Sequence, residues 1–150
     1  MLYLLMDAGP DTYALATASV VKVVPCAALK AAPGAPPAVV GILNFRGQPV
    51  PVLDCSLLLT GQPCPLCYSS RIILQTIHID GRERMLGLLG ENLTRVQSFE
   101  EGDFIEPGAR AAEFPGAGRV AAHGDQWIQR LHPHALLTAE VWETLTTQEI

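Results

Sequence analysis

Pro49 and Pro51 stand two residues apart inside a run that otherwise reads as a β-strand, and they constrain the fold more than any other pair in the chain. Residues i and i+2 of a strand direct their backbone groups toward the same neighbour, and proline has no N–H to give. One edge of the strand therefore lacks two donors. That disfavours a central position with full ladders on both sides and predicts an edge, a bulge or a barrel seam. The flanking residues complete the picture. Val39 to Phe45 is β-branched and apolar, Arg46-Gly47 marks a tight turn in which Gly47 takes a positive φ, and Val50 to Leu53 resumes the extended pattern. With period-two alternation Val40, Ile42, Asn44 and Arg46 share one face while Val39, Leu43 and Phe45 share the other. Two polar side chains thus end an apolar face, at the turn.

The rest of the chain reads as short strands separated by turns. Strands are expected at Tyr3 to Asp7, Asp11 to Thr17 and Val20 to Val24, the start of a meander, with Gly9-Pro10 as the first turn. Ala31 to Pro37 is too proline-rich for a regular element and reads as a loop feeding the hairpin. Asp54 or Ser56 can cap one helical turn that ends at Gly61. Ile72 to Ile79 is apolar on both faces, as suits a strand buried between two layers. Asp80-Gly81 is a strong hairpin signal leading into Met85 to Leu89, followed by Leu93 to Phe99. A loop runs from Glu100 to Gly118. Arg119 to Ala122 and Gln126 to Leu131 pair about His123-Gly124-Asp125, and the helical signals are confined to Pro133 to Leu137 and Thr138 to Leu145. About nine to ten strands with turns at this spacing favour a barrel or sandwich.

Composition sets the outer limits. The chain has 150 residues, 49% hydrophobic and 17% charged. So few charges fit either apolar surface shared with a partner or simply a β-rich core. A net charge of −5 with scattered Lys and Arg argues against nucleic-acid binding, which needs clustered cations. Met1 to Met6 is apolar but lacks the basic start of a signal peptide. No run approaches the roughly 18 apolar residues of a membrane span. A cytoplasmic protein with reduced thiols is expected.

Candidate chemistry is sparse. Cys64-Pro65-Leu66-Cys67 has the spacing of a metal knuckle or dithiol, but no second ligand pair follows, and Pro65 does not announce the helix N-terminus that would activate Cys64. His78 and His123 sit at turns. No nucleophile elbow or phosphate-binding glycine loop is present, and Glu100 to Asp103 reads as a solvated acidic loop. The expectation is no catalytic residue, no metal and no cofactor. Arg46 has two readings. It can pair with Asp54 across its own hairpin, worth about 0–1 kcal/mol at a surface. Alternatively, a forked donor beside Asn44, Ile42 and Val40 can anchor a protein interface.

The run Gly41-Ile42-Leu43-Asn44-Phe45-Arg46-Gly47-Gln48-Pro49-Val50-Pro51-Val52-Leu53-Asp54 resembles the signature of the CheW-like domain, the coupling module of bacterial chemosensory arrays. The resemblance extends over about Tyr3 to Leu137, with a second anchor from Arg71-Ile72-Ile73-Leu74 to Leu86-Gly87-Leu88-Leu89. It implies an all-β fold of two packed SH3-like five-stranded barrels with short helices near the C-terminus. Residues 1–150 would form a single CheW-like domain of two barrel subdomains. It also implies a non-catalytic adaptor that tethers a CheA-type histidine kinase, through the kinase's regulatory domain, to the cytoplasmic tip of methyl-accepting chemoreceptors. Such an adaptor lies in the cytoplasm at receptor arrays without entering the membrane. The family's functional arginine falls on Arg46, with Asn44, Gly47 and Ile42 around it, and its receptor-facing valine falls on Val21. The chain departs from its relatives at Lys22, where they often carry an acidic residue, and at Gly90-Glu91. The hairpin wording is most similar to adaptors of Wsp-type surface-sensing arrays, whose output is cyclic-di-GMP synthesis. Two other readings stay open: an SH3-like interaction module outside chemosensing, and a thiol or zinc protein using Cys64 and Cys67.

Overall fold

The computed structural model describes residues 1–26, 29–65, 70–79, 81–105 and 117–137. Ten strands run in the order β1 (Leu2–Ala8), β2 (Asp11–Ala16), β3 (Val20–Pro25), β4 (Val39–Phe45), β5 (Gln48–Asp54), β6 (Ser70–Ile79), β7 (Arg82–Ser98), β8 (Phe104–Ile105), β9 (Ala117–His123) and β10 (Gln126–Leu131). One α-helix, α1 (Cys55–Thr60), follows β5. The strands join in one path, β3-β6-β7-β1-β2-β10-β9-β8, from which β5 branches off β7 and carries β4.

Strand β7 is 17 residues long and serves both ends of this path. Its first part pairs with β6, from Ile79↔Arg82 to Ser70↔Glu91. Its second part pairs with β1, from Asp7↔Glu91 to Leu2↔Ser98. The exchange of neighbours happens at Glu91, and the β1 register jumps there from Asp7↔Glu91 to Leu5↔Arg95. Met6 alone therefore stands opposite 92–94, a bulge that bends the strand. Asn92 takes a positive φ of 55° within it. Just before the bulge a Cβ on Gly90 would lie 2.4 Å from the Met6 sulfur. Met6 is fully buried and has nowhere to retreat. Glycine at 90 lets the β1 side chain lie directly on β7.

The Asp7 carboxylate fastens the bend. It accepts from Asn92 Nδ2 at 2.7 Å, from Arg95 Nη2 at 2.5 Å and from Thr12 Oγ1 at 2.9 Å, so two donors come from the bulge and one from β2. Burial pushes its pKa up, but these hydrogen bonds and the Arg95 charge outweigh that and hold it below the ordinary aspartate value.

Alternating side chains divide the apolar residues into three cores. Ile72 and Leu74 on one face of β6 pack with Leu43, Val50, Val52 and Leu89. Tyr3 and Leu5 on one face of β1 pack with Phe99, Phe104 and Ile128. The opposite faces, Ile73, Ile77 and Ile79 on β6 with Leu4 and Met6 on β1, meet in a third core together with Leu53 and Leu88. Each half of the path thus curls about its own core, and the halves are cemented by a shared one. The fold is the all-β one expected from the sequence, and this curling is consistent with two barrels; Ile72 to Gln75 is buried on both sides as read, while Thr76 is half-buried and His78 exposed.

The local expectations largely hold. Asp54 caps α1 by accepting from the Leu57 N–H at 3.1 Å, and the Gly61 N–H closes the helix on the Leu57 carbonyl at 3.0 Å. The prolines of β5 sit at a seam. Its antiparallel pairing with β4 runs the whole strand, whereas parallel pairing with β7 begins only at Val52↔Gly87, past Pro51. Other expectations are corrected. Met85 to Leu89 and Leu93 to Phe99 are parts of one strand. The opening is not a three-strand meander, because β3 leaves β2 after a 3₁₀ turn at Thr17–Ser19 and pairs with β6. Pro133–Leu136 is a 3₁₀ turn, while Thr138 to Leu145, Asp80 and Cys67 lie outside the described residues.

A carboxylate with a depressed pKa stabilises the fold above its unfolded value, and that contribution is lost as pH falls through the folded one. Asp7→Asn should accordingly be less stable than wild type at neutral pH, with the gap closing below about pH 4. Urea midpoints measured across that range check this; a gap independent of pH would contradict the clamp.

Candidate functional site

The β4–β5 hairpin closes at Phe45↔Gln48, leaving Arg46 and Gly47 as its two turn residues. Both have positive φ, 52° and 82°, as a type I′ turn requires. The turn is pinned by Asn44, whose Oδ1 accepts from the Gly47 N–H at 2.8 Å. For a residue with a Cβ the left-handed region costs about 1–2 kcal/mol. An arginine at this position is therefore maintained against local preference, a pattern associated with functional positions.

The strand below is held from both sides. Its inner edge pairs with β5, and its outer edge is bridged by Lys30, whose N–H and carbonyl bond to Ile42 at 2.9 and 2.8 Å. Gly41 permits this approach, since a Cβ there would lie 2.7 Å from Leu29 Cβ and 2.9 Å from the Lys30 carbonyl. Val39 and Leu43 are buried; Val40 and Asn44 are exposed, and Ile42 is half-buried. Alternation holds as far as Asn44 and ends at the turn, where the positive φ lays the Arg46 guanidinium over the Phe45 ring, 4.9 Å from its centroid.

The pairing of Arg46 with Asp54 is not what the structure contains. Asp54 is buried, and its two oxygens accept the Leu57 and Cys64 N–H groups, the latter at 2.9 Å. Its carboxylate serves the α1 cap and the loop after it. Arg46 stays exposed at the tip.

Four of the five expected site residues, Ile42, Asn44, Arg46 and Gly47, share this hairpin. Val21 lies on β3, at the far end of the order β4-β5-β7-β6-β3. The two ends belong to one curled half, because Val24 of β3 and Phe45 of β4 pack against the same core. The sequence reading missed a bulge at Val21. Pairing shifts from Val20↔Gln75 to Lys22↔Leu74, so Val21 is the extra residue and both it, 48% exposed, and Lys22 face solvent. A β-branched run shows no local signal of such a shift.

The thiols are placed for packing. Cys64 is buried beside Leu43 and Ile72; burial pushes its pKa up to about 12, with the Asp54 and Glu91 carboxylates adding to the shift. Cys55 is fully buried in the shared core, and burial raises its pKa as well. Among the described residues no three His, Cys, Asp or Glu side chains are grouped to hold a metal ion, and no helix is long and apolar enough to cross a membrane.

Comparison with known proteins gives two findings. Residues 2–141 match the family model of the CheW-like domain. Among solved structures the fold is similar to the scaffolding protein TtCheW of Thermoanaerobacter tengcongensis, with a TM-score of 0.79, 22% identity, and coverage of 93% of this chain and 89% of that one. No curated protein sequence matches the chain.

Relieving the strained turn separates stability from site chemistry. Arg46→Gly should leave the fold as stable as wild type or up to about 1 kcal/mol more so. Asn44→Ala, which strips the turn of its acceptor, should cost about 0.5–1.5 kcal/mol. Chemical denaturation of both variants checks the pair; a large loss in Arg46→Gly would make the arginine structural.

Proposed function

Since this chain belongs to the CheW-like domain family, we propose that it is a non-catalytic adaptor that couples methyl-accepting chemoreceptors to a CheA-type histidine kinase in a chemosensory array. The observation that carries the reading is Arg46. An exposed guanidinium is held in a left-handed turn, stacked on the Phe45 ring, at the point where the chain matches the family signature. Guanidinium groups beside apolar surface are frequent anchors of protein interfaces.

In this reading receptor helices at the cytoplasmic tip lie against Arg46, Ile42 and Val21, with Asn44 and Gly47 fixing the turn. The kinase's CheW-like regulatory domain takes another face of the double barrel. The mechanism is geometric. A rigid body with two docking faces sets the distance and angle between receptor and kinase, and no bond is made or broken. Each contact belongs to the modest class of transient signalling interfaces, with avidity supplied by the array. The protein works in the cytoplasm, peripheral to membrane receptors, and the likeness of the hairpin wording to Wsp-type adaptors is what supports an output in cyclic-di-GMP synthesis.

The test uses purified kinase regulatory domain and a receptor cytoplasmic fragment in separate titrations. Arg46→Glu should weaken one of the two by about tenfold or more, a loss of about 1.4 kcal/mol, while its denaturation midpoint stays at the wild-type value. Wild-type affinity for both partners in the variant would remove Arg46 from the interface, and an unfolded variant would make it structural.

A further inference from the structure

Trp127 on β10 is 58% exposed and is the largest apolar side chain left in solvent among the described residues. Nothing in the coupling site accounts for it, since it lies in the other half of the sheet. Its surroundings follow from the register. Ala122 on β9 stands opposite it. On its other side β10 runs parallel to β2 with Ile128 beside Thr12 and Gln129 beside Tyr13, which places Asp11 next to Trp127 on the same face. Gln129 and Tyr13 form the next pair along that face.

Two groups on this ledge attract cations. The indole presents its negative π-face. Asp11 is exposed, and its charge adds to burial in raising the Tyr13 pKa to about 12.

Charge sorts by half in the same sense. Among the described residues, the half built from β3 to the middle of β7 carries six cations, Lys22, Lys30, Arg46, Arg71, Arg82 and Arg84, against Asp54 and Glu83. The half that holds Trp127 carries seven carboxylates against Arg95, Arg119 and Arg130. Arg95 is engaged with Asp7 and Arg130 with Glu101. A net positive half and a net negative half face different partners.

We propose that the ledge formed by Trp127 and Asp11 is a second docking surface whose occupant is a basic protein surface presenting an arginine. The guanidinium stacks on the indole and pairs with Asp11. Arginine fits better than lysine, because its planar group stacks on a π-face while its N–H groups meet a carboxylate. The proposal deepens the adaptor reading and rests on it for the existence of a second partner. The polarity then keeps the partners apart, an acidic surface on the Arg46 half and a basic one on the Trp127 half.

The ledge is tested without either partner. The indole N–H of Trp127 in the full chain, assigned with Trp127→Phe, is followed by NMR during titration with a blocked Gly-Arg-Gly peptide and its Lys and Glu counterparts. The expected result is a saturable shift with arginine at an affinity on the order of millimolar, a weaker one with lysine and none with glutamate. Asp11→Asn, checked for an unchanged spectrum elsewhere, should lose at least about threefold of that affinity. Equal shifts from the Arg and Glu peptides, or an arginine response indifferent to Asp11→Asn, overturn the proposal. Because the Arg46 titrations with kinase and receptor are independent of this readout, failure of the ledge and failure of the adaptor reading are told apart.

Discussion

The carboxylate of Asp7 holds the one bend on which the architecture depends. A single strand that contributes to two curled sheets must change neighbours partway along, and at that point its ladder is interrupted and polar groups are exposed next to apolar cores. Here the interruption falls between Glu91 and Arg95, and Asp7 collects Asn92 from inside it and Arg95 from its far edge, plus Thr12 from β2. Gly90 and Met6 make the bend compact, since a side chain on β7 at that point would occupy the space of the Met6 thioether. The shared core of Ile73, Ile77, Leu4, Met6, Leu53 and Leu88 forms only if the two halves meet at this angle.

In the proposed adaptor role such a joint has to be stiff. Docking faces on the two halves would keep a fixed distance only if the halves could not rock, and the shared core with its clamp ties the halves together. The same economy is visible at the hairpin. Asp54 caps α1 and holds the Cys64 N–H, Asn44 holds the turn, and Lys30 bridges the outer edge of β4. These groups have structural tasks, and the guanidinium stays at the tip as the one exposed cation of the turn. Its stacking on Phe45 orients it, so less freedom would be lost on binding in the proposed role.

Much of this was legible in the sequence where the signal is local. The β4–β5 hairpin, the seam imposed by Pro49 and Pro51, the Asp54 cap and the doubly buried Ile72 to Gln75 all follow from turn chemistry, proline and alternation over a few residues. What escaped is non-local. Nothing near Val20 says that β3 pairs with β6 rather than β2, and nothing near Ile128 says that β10 runs parallel to β2. The continuity of β7 was hidden by Gly90-Glu91-Asn92, a string of turn-forming residues that reads as a break and acts as a bulge. Arg46 and Asp54 look like a salt bridge because they flank one hairpin. The competing need was backbone satisfaction at α1, and burial of Asp54 settled it. At Val21 the exposed position came from a bulge that no residue type announces.

The measurement closest to the central claim is kinase control in a reconstituted system. Receptor-bearing membranes and the CheA-type kinase are combined with and without this protein, and kinase autophosphorylation is followed as receptor ligand is added. The adaptor account predicts that ligand alters kinase activity only when the protein is present, and that Arg46→Glu removes this control while the variant remains folded. Control that persists without the protein, or that fails to appear with the wild-type chain present, would contradict it.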